Sequence, residues 1–157
     1  MPIAASVPLT PELLAKNSIL SSLAGPHAAR VLESGRLVRL ATREQIYEAD
    51  ETIREAFFPI DSVLSIVTMM KNGVAIEVGT VGCEGVSALP LLLGAKTSAN
   101  ESYCQVPGDA ISLPVSLFLQ LSNDDVGFRR LLDRYFQAYI NLLGQLAACN
   151  RLHSVWS

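Results

Sequence analysis

Histidine and cysteine are scarce in this chain, with two of the first and three of the second among 157 residues. Cys83, Cys104 and Cys149 are widely separated and form no C-x-x-C pair, which excludes a disulfide framework and the usual thiolate zinc patterns. They read as small buried hydrophobes. His27 and His153 lie far apart, and no H-E-x-x-H, G-x-S-x-G or P-loop motif occurs. The adjacent carboxylates, Glu48 with Asp50 and Asp124 with Asp125, fit a turn and a helix cap facing water. No catalytic or metal constellation emerges, and the chain is read as a non-enzyme. Basic residues are outnumbered, 12 Lys and Arg against 15 Asp and Glu, so this chain alone has no electrostatic footprint for a polyanion. No apolar run approaches the roughly 18 residues of a membrane span, and the N-terminus lacks the basic start and apolar core of a signal peptide. The expectation is a cytoplasmic protein without a membrane partner. What is abundant is apolar: 50% hydrophobic residues with 17% charged provide a proper globular core.

Residues 1–9 carry two prolines and no periodicity, and read as a loose leader. Thr10 followed by Pro11 has the form of a helix N-cap with proline at the first position, and Asn17 has the form of a cap for a turn over 18–23. A second short helix is expected from Pro26 to Gly35. From Arg36 the period becomes alternating, and apolar stretches rich in β-branched and large residues are broken by turn chemistry every eight to twelve residues or so. The strands expected lie around 37–40, 46–47, 57–58, 63–70, 74–78, 99–106 and 110–113. Asn72-Gly73 between apolar runs points to a type I′ hairpin. The pattern fits a sandwich, jelly roll or barrel spanning residues 10–122 with its leading helices.

The stretch from Glu77 to Gly94, E-V-G-T-V-G-C-E-G-V-S-A-L-P-L-L-L-G, places one carboxylate, Glu84, between Gly82 and Gly85. Glycines permit close backbone approach, so such a turn can present a carboxylate beside free N–H groups as a ligand cradle. The same spacing also suits a β corner with a solvent-facing Glu. Both readings stand.

Residues 123–157 hold no proline and read as one long helix, capped at Asn123 and Asp124. Phe128, Leu132, Tyr135, Tyr139, Leu142, Leu146, Cys149 and His153 recur at alternating intervals of four and three. A seam of period 3.5 is the mark of helix-on-helix supercoiling, which predicts a homodimer interface. A second apolar set, Leu131, Phe136, Ile140 and Leu143, is expected to pack on the β domain. The alternative is that the seam itself does so.

Two short helices, a β-roll with a glycine-flanked Glu, and a long helix with a dimer seam together resemble the sensor half of a Crp/Fnr family transcription regulator. The run from Glu77, the Asn72-Gly73 hairpin and C-N-R-L-H-S-V from Cys149 to Val155 strengthen the resemblance, which covers about residues 17–155. It implies a jelly-roll, cyclic-nucleotide-binding-like domain with a dimerisation helix. By the same resemblance, Glu84 matches the residue that binds a ribose hydroxyl, and Gly82, Cys83, Glu84, Gly85, Val86, Lys96, Thr97 and Ser98 form the candidate ligand site. Thr97 occupies the slot of the phosphate-binding Arg, and a hydroxyl cannot reproduce a bidentate guanidinium grip; Lys96 beside it offers only a point charge. A cyclic nucleotide effector would meet a weakened phosphate site here, so a different effector, or no ligand at all, stands beside it as an expectation. No cofactor is required: no cysteine precedes Cys83 for an iron–sulfur cluster, and no histidine falls in the strands for haem. DNA contact is expected only through a helix-turn-helix missing from this chain, which stops at Ser157. The alternatives are a ligand-free oligomerisation module or regulator remnant, and a cupin-like enzyme, the latter disfavoured by strands without histidine.

Overall fold

The computed structural model describes residues 7–152. The chain opens with a short helix, α1 (Pro11–Leu14), capped by the Thr10 side chain, which accepts from Leu13 N. The Asn17 side-chain oxygen then accepts from Ile19 N and Leu20 N and starts a 3₁₀ turn, Leu20–Ser22, as its sequence position anticipates. Helix α2 (Gly25–Ser34) follows with proline in its first turn, where a missing N–H leaves nothing unsatisfied.

Seven strands among the described residues build two antiparallel sheets. One has the order β1-β7-β3, from Arg36–Leu40, Gly108–Pro114 and Glu55–Pro59. The other has the order β2-β6-β4-β5, from Gln45–Tyr47, Glu101–Val106, Val63–Met69 and Ala75–Val81. The order of crossings makes a jelly roll, with alternate residues turned inward: Leu64, Ile66, Val81, Cys104 and Ala110 are buried together. The β4–β5 hairpin falls where expected, but its turn differs. Gly73, at φ +82°, is its one left-handed residue, and Gly73 N donates to Met70 O. Type I′ requires positive φ at two successive positions, so this is the longer loop that ends in a left-handed glycine.

A short helix, α3 (Leu89–Leu92), interrupts the glycine-rich stretch after β5. The C-terminal region is two helices. Helix α4 (Val115–Asp124) leads directly out of β7, and α5 (Val126–Leu152) follows a break at Asp125. The cap of the long helix is Asp125, whose carboxylate accepts from Phe128 N at 3.0 Å, rather than Asn123 or Asp124. The main core lies where α4 and the start of α5 meet the sheets. Phe118 stands edge-on to Phe58 on one side and Phe128 on the other, with centroids 6.0 and 6.5 Å apart.

This core corrects part of the expected dimer seam. Phe128 and Leu132 are 1% and 0% exposed within a single chain, so they have no surface to offer a second helix. The first turns of α5 spend their seam positions on the chain's own core. Leu142 and Leu146, further along, are each 40% exposed, and Cys149 is exposed. His153 lies outside the described residues. Among the described residues, no helix is long and apolar enough to cross a membrane.

Candidate functional site

Glu84 sits in the expected glycine turn, with Gly85 N donating to Gly82 O at 3.0 Å. Its carboxylate folds back and accepts from Gly82 N at 3.0 Å. Gly82 is needed for that fold-back, because a Cβ there would stand 2.7 Å from Glu84 Oε2. The turn is also fastened from outside. Ser18 N donates to Cys83 O at 2.8 Å, and Asn17 Nδ2 donates to both Gly85 O and Pro59 O. A fully buried Asn that caps one element and ties two others holds the N-terminal helices to this corner of the roll.

Tyrosines of α5 close over the same corner. Tyr135 lies so near Gly85, and Tyr139 so near Gly79, that a side chain at either glycine would overlap the tyrosine ring tip. The two rings are neighbours, with centroids 6.2 Å apart. The Tyr135 hydroxyl is buried without a hydrogen-bond partner. Burial, then the negative charge of Glu84, pushes the Tyr135 phenol well above its ordinary range. Burial raises Tyr139 to about 12, with Tyr47 adding to the effect.

Beside this contact, a cavity of about 230 Å³ opens between the roll and α5. Tyr47 of β2 and Ile66 of β4 form part of its floor, and Leu89, Pro90 and Leu93 of the α3 segment form one wall. The opposite wall is α5, through Phe136, Tyr139, Ile140 and Leu143. Val86, Ser87, Ser98 and Asn100 complete it. Burial raises the Tyr47 phenol, an effect partly offset by the Ser98 hydroxyl.

Of the eight expected ligand residues, Val86 and Ser98 line this cavity. Cys83 and Glu84 are exposed on the turn, and Glu84 borders a smaller hollow of about 140 Å³ with Thr80, Tyr135 and Leu142. Lys96 and Thr97 are exposed, and their loop is pinned through its backbone: Ile53 N donates to Lys96 O and Asp50 N to Ser98 O. The sequence reading missed Tyr47, Ile66 and the α3 residues. It did assign Phe136, Ile140 and Leu143 to contact with the β domain, and these are the residues of α5 that face the cavity along with Tyr139. Among the described residues, no three or more His, Cys, Asp or Glu side chains converge as a metal site.

No protein-family model and no curated protein sequence matches the chain. Solved structures do. The sensor domain of the transcriptional regulator DNR from Pseudomonas aeruginosa superposes with a TM-score of 0.63 at 14% identity, over 93% of each chain. The c-di-GMP-responsive global regulator CLP of Xanthomonas campestris gives 0.69 at 12% identity, over 82% of this chain and 65% of CLP. DNR in a longer form gives 0.64 at 15% identity, with 90% of this chain covering 61% of it. The chain thus spans nearly all of one sensor domain and less than two thirds of the longer regulators. Its fold is the cyclic-nucleotide-binding-like jelly roll of transcriptional-regulator sensor domains, the fold that the Crp/Fnr resemblance implies.

Proposed function

We propose that the chain is the effector-sensing and dimerising part of a Crp/Fnr-like bacterial transcription regulator, acting in the cytoplasm by binding rather than by catalysis. A small ligand enters the cavity between the roll and α5, changes how α5 packs, and so alters the dimer geometry offered to a DNA-binding domain outside this sequence. The observation that carries this reading is the shared wall: Phe136, Tyr139, Ile140 and Leu143 belong at once to the cavity and to the helix that leaves the domain. A molecule seated there contacts the signalling element directly.

The second half of α5 supplies the dimer surface. Leu142, Leu146 and Cys149 continue the seam beyond the part consumed by the core, and Met69, Met70, Val74 and Ile76 of the β4–β5 hairpin are each between 44% and 52% exposed. Exposed apolar residues on two elements of one domain mark an association surface. No cofactor enters the reading. A ligand-free oligomerisation module is the second reading, favoured by one observation: the Glu84 carboxylate is occupied with its own turn.

Light scattering combined with a thermal-shift screen tests the proposal. The expected result is a dimer and at least one saturable stabiliser among cyclic AMP, cyclic GMP, cyclic di-GMP and small neutral metabolites, with stabilisation of about 2.7 kcal/mol at a hundredfold excess over Kd. A dimer that no small molecule stabilises supports the ligand-free module instead, and a monomer removes the dimer from either reading.

A further inference from the structure

The cavity has a chemical character that narrows its ligand. Resting on the sensor reading, we infer that it takes an uncharged, largely apolar molecule of roughly ten non-hydrogen atoms carrying one hydrogen-bonding group, rather than a cyclic phosphate. The size follows from the volume. A cavity of about 150 Å³ holds a benzene ring, and this one is about 230 Å³.

The absence of charge follows from the walls. None of the lining residues carries a formal charge, and Lys96, the cation adjacent to the expected phosphate position, is exposed and not among them. A phosphate or carboxylate placed against Ile66, Leu89, Phe136 and Leu143 would lose its hydration with no cation to replace it. The polar groups present are neutral: the hydroxyls of Tyr47, Tyr139, Ser87 and Ser98, and the Asn100 amide. Both phenols hold their protons above the ordinary range, so they remain neutral hydrogen-bonding groups at physiological pH.

A further feature comes from Ser102. In strand register it is the partner of both Tyr47 and Ile66, which puts it between two floor residues and on their face of the sheet. Its hydroxyl is fully buried and has no hydrogen-bond partner. It is not among the lining residues and presents no surface to the cavity, so the partners within reach of a ligand's polar group are the lining hydroxyls and the Asn100 amide.

Isothermal titration of the full chain tests the inference with four probes: indole and cyclohexanol as neutral ligands, cyclic AMP and cyclic di-GMP as charged ones. Indole or cyclohexanol is expected to saturate with an affinity unchanged between low and high salt, because no ionic contact is made. Ile140→Trp and Leu93→Trp place an indole side chain at opposite lips of the cavity, at positions 45% and 68% exposed, so both variants should fold. Each is expected to weaken neutral-probe binding by about tenfold or more, with the melting temperature of the free protein serving as the check on folding. Binding of a cyclic nucleotide alone overturns the ligand class and leaves the sensor reading standing. Neutral-probe binding that both variants leave unchanged overturns the site. If none of the four probes binds, the inference fails; if the wider metabolite screen is also silent, the sensor reading falls with it.

Discussion

Replacing Gly85 with alanine sets a methyl group against the tip of the Tyr135 ring, and neither partner has room to withdraw. The Gly85 carbonyl is held by Asn17 Nδ2 at 3.0 Å and its N–H by Gly82 O at 3.0 Å, so the turn cannot slide. Tyr135 packs at a tilt beside Tyr139, which closes on Gly79, and α5 is anchored one and two turns earlier by the fully buried Leu132 and Phe128. Relief requires α5 to lift from the roll. Overpacking of this kind costs about 1–3 kcal/mol. Taking about 2 kcal/mol, the melting temperature of a chain this size drops by about 4–8 °C. Thermal denaturation of Gly85→Ala, Tyr135→Leu and the double variant forms the decisive cycle. Shortening Tyr135 removes the obstruction, so the double variant should be more stable than the sum of the two changes implies by about 1 kcal/mol or more. A neutral Gly85→Ala, or additive single effects, would refute the tyrosine-on-glycine contact as the seat of α5.

Alkaline stability provides a second check: Tyr135 and Tyr139 hold their protons above the ordinary 10.0, Tyr139 to about 12, so the fold favours the neutral phenols. Their contribution is complete below pH 10 and is lost as the pH rises towards about 12, so the melting temperature should fall across that interval. An ultraviolet phenolate titration that finds every tyrosine ionising near 10 in the folded protein would contradict this. Along α5 the consequences of substitution should change sharply: Phe128→Ala should lower stability by about 3–5 kcal/mol without altering oligomeric state, whereas Leu142→Asp should dissociate a dimer and leave the protomer folded, as read by light scattering with circular dichroism. Asn17→Ala strips partners from Gly85 O, Pro59 O, Ile19 N and Leu20 N, and should cost about 3 kcal/mol by chemical denaturation.

Local chemistry was legible wherever one residue acts on near neighbours. The Thr10 and Asn17 caps and the hairpin about Gly73 satisfy backbone groups within a few positions, the proline in the first turn of α2 leaves no N–H without a partner, and each occurs where the sequence puts it. The resemblance then supplied the jelly roll, which alternation alone left open among several β folds. Helix α4 was not legible: Leu117, Leu119 and Leu121 alternate as a strand would, and only packing around Phe118 selects the helix. The seam was half legible. Period shows that one face of α5 is covered but not what covers it, and the covering changes from the chain's own core at Phe128 and Leu132 to open surface at Leu142. The cavity has no sequence signature. It arises where β2, β4, the α3 segment and α5 meet, from residues spread between Tyr47 and Leu143 that no motif connects.

The central claim is that a molecule in this cavity acts on α5. Backbone amide exchange of the full chain, with and without saturating indole, tests it most directly. The account predicts slower exchange across residues 136–143 and at α3, with β1 and β7 unchanged, because ligand contacts join the helix to the roll. Bound indole that leaves exchange along α5 unaltered would contradict it.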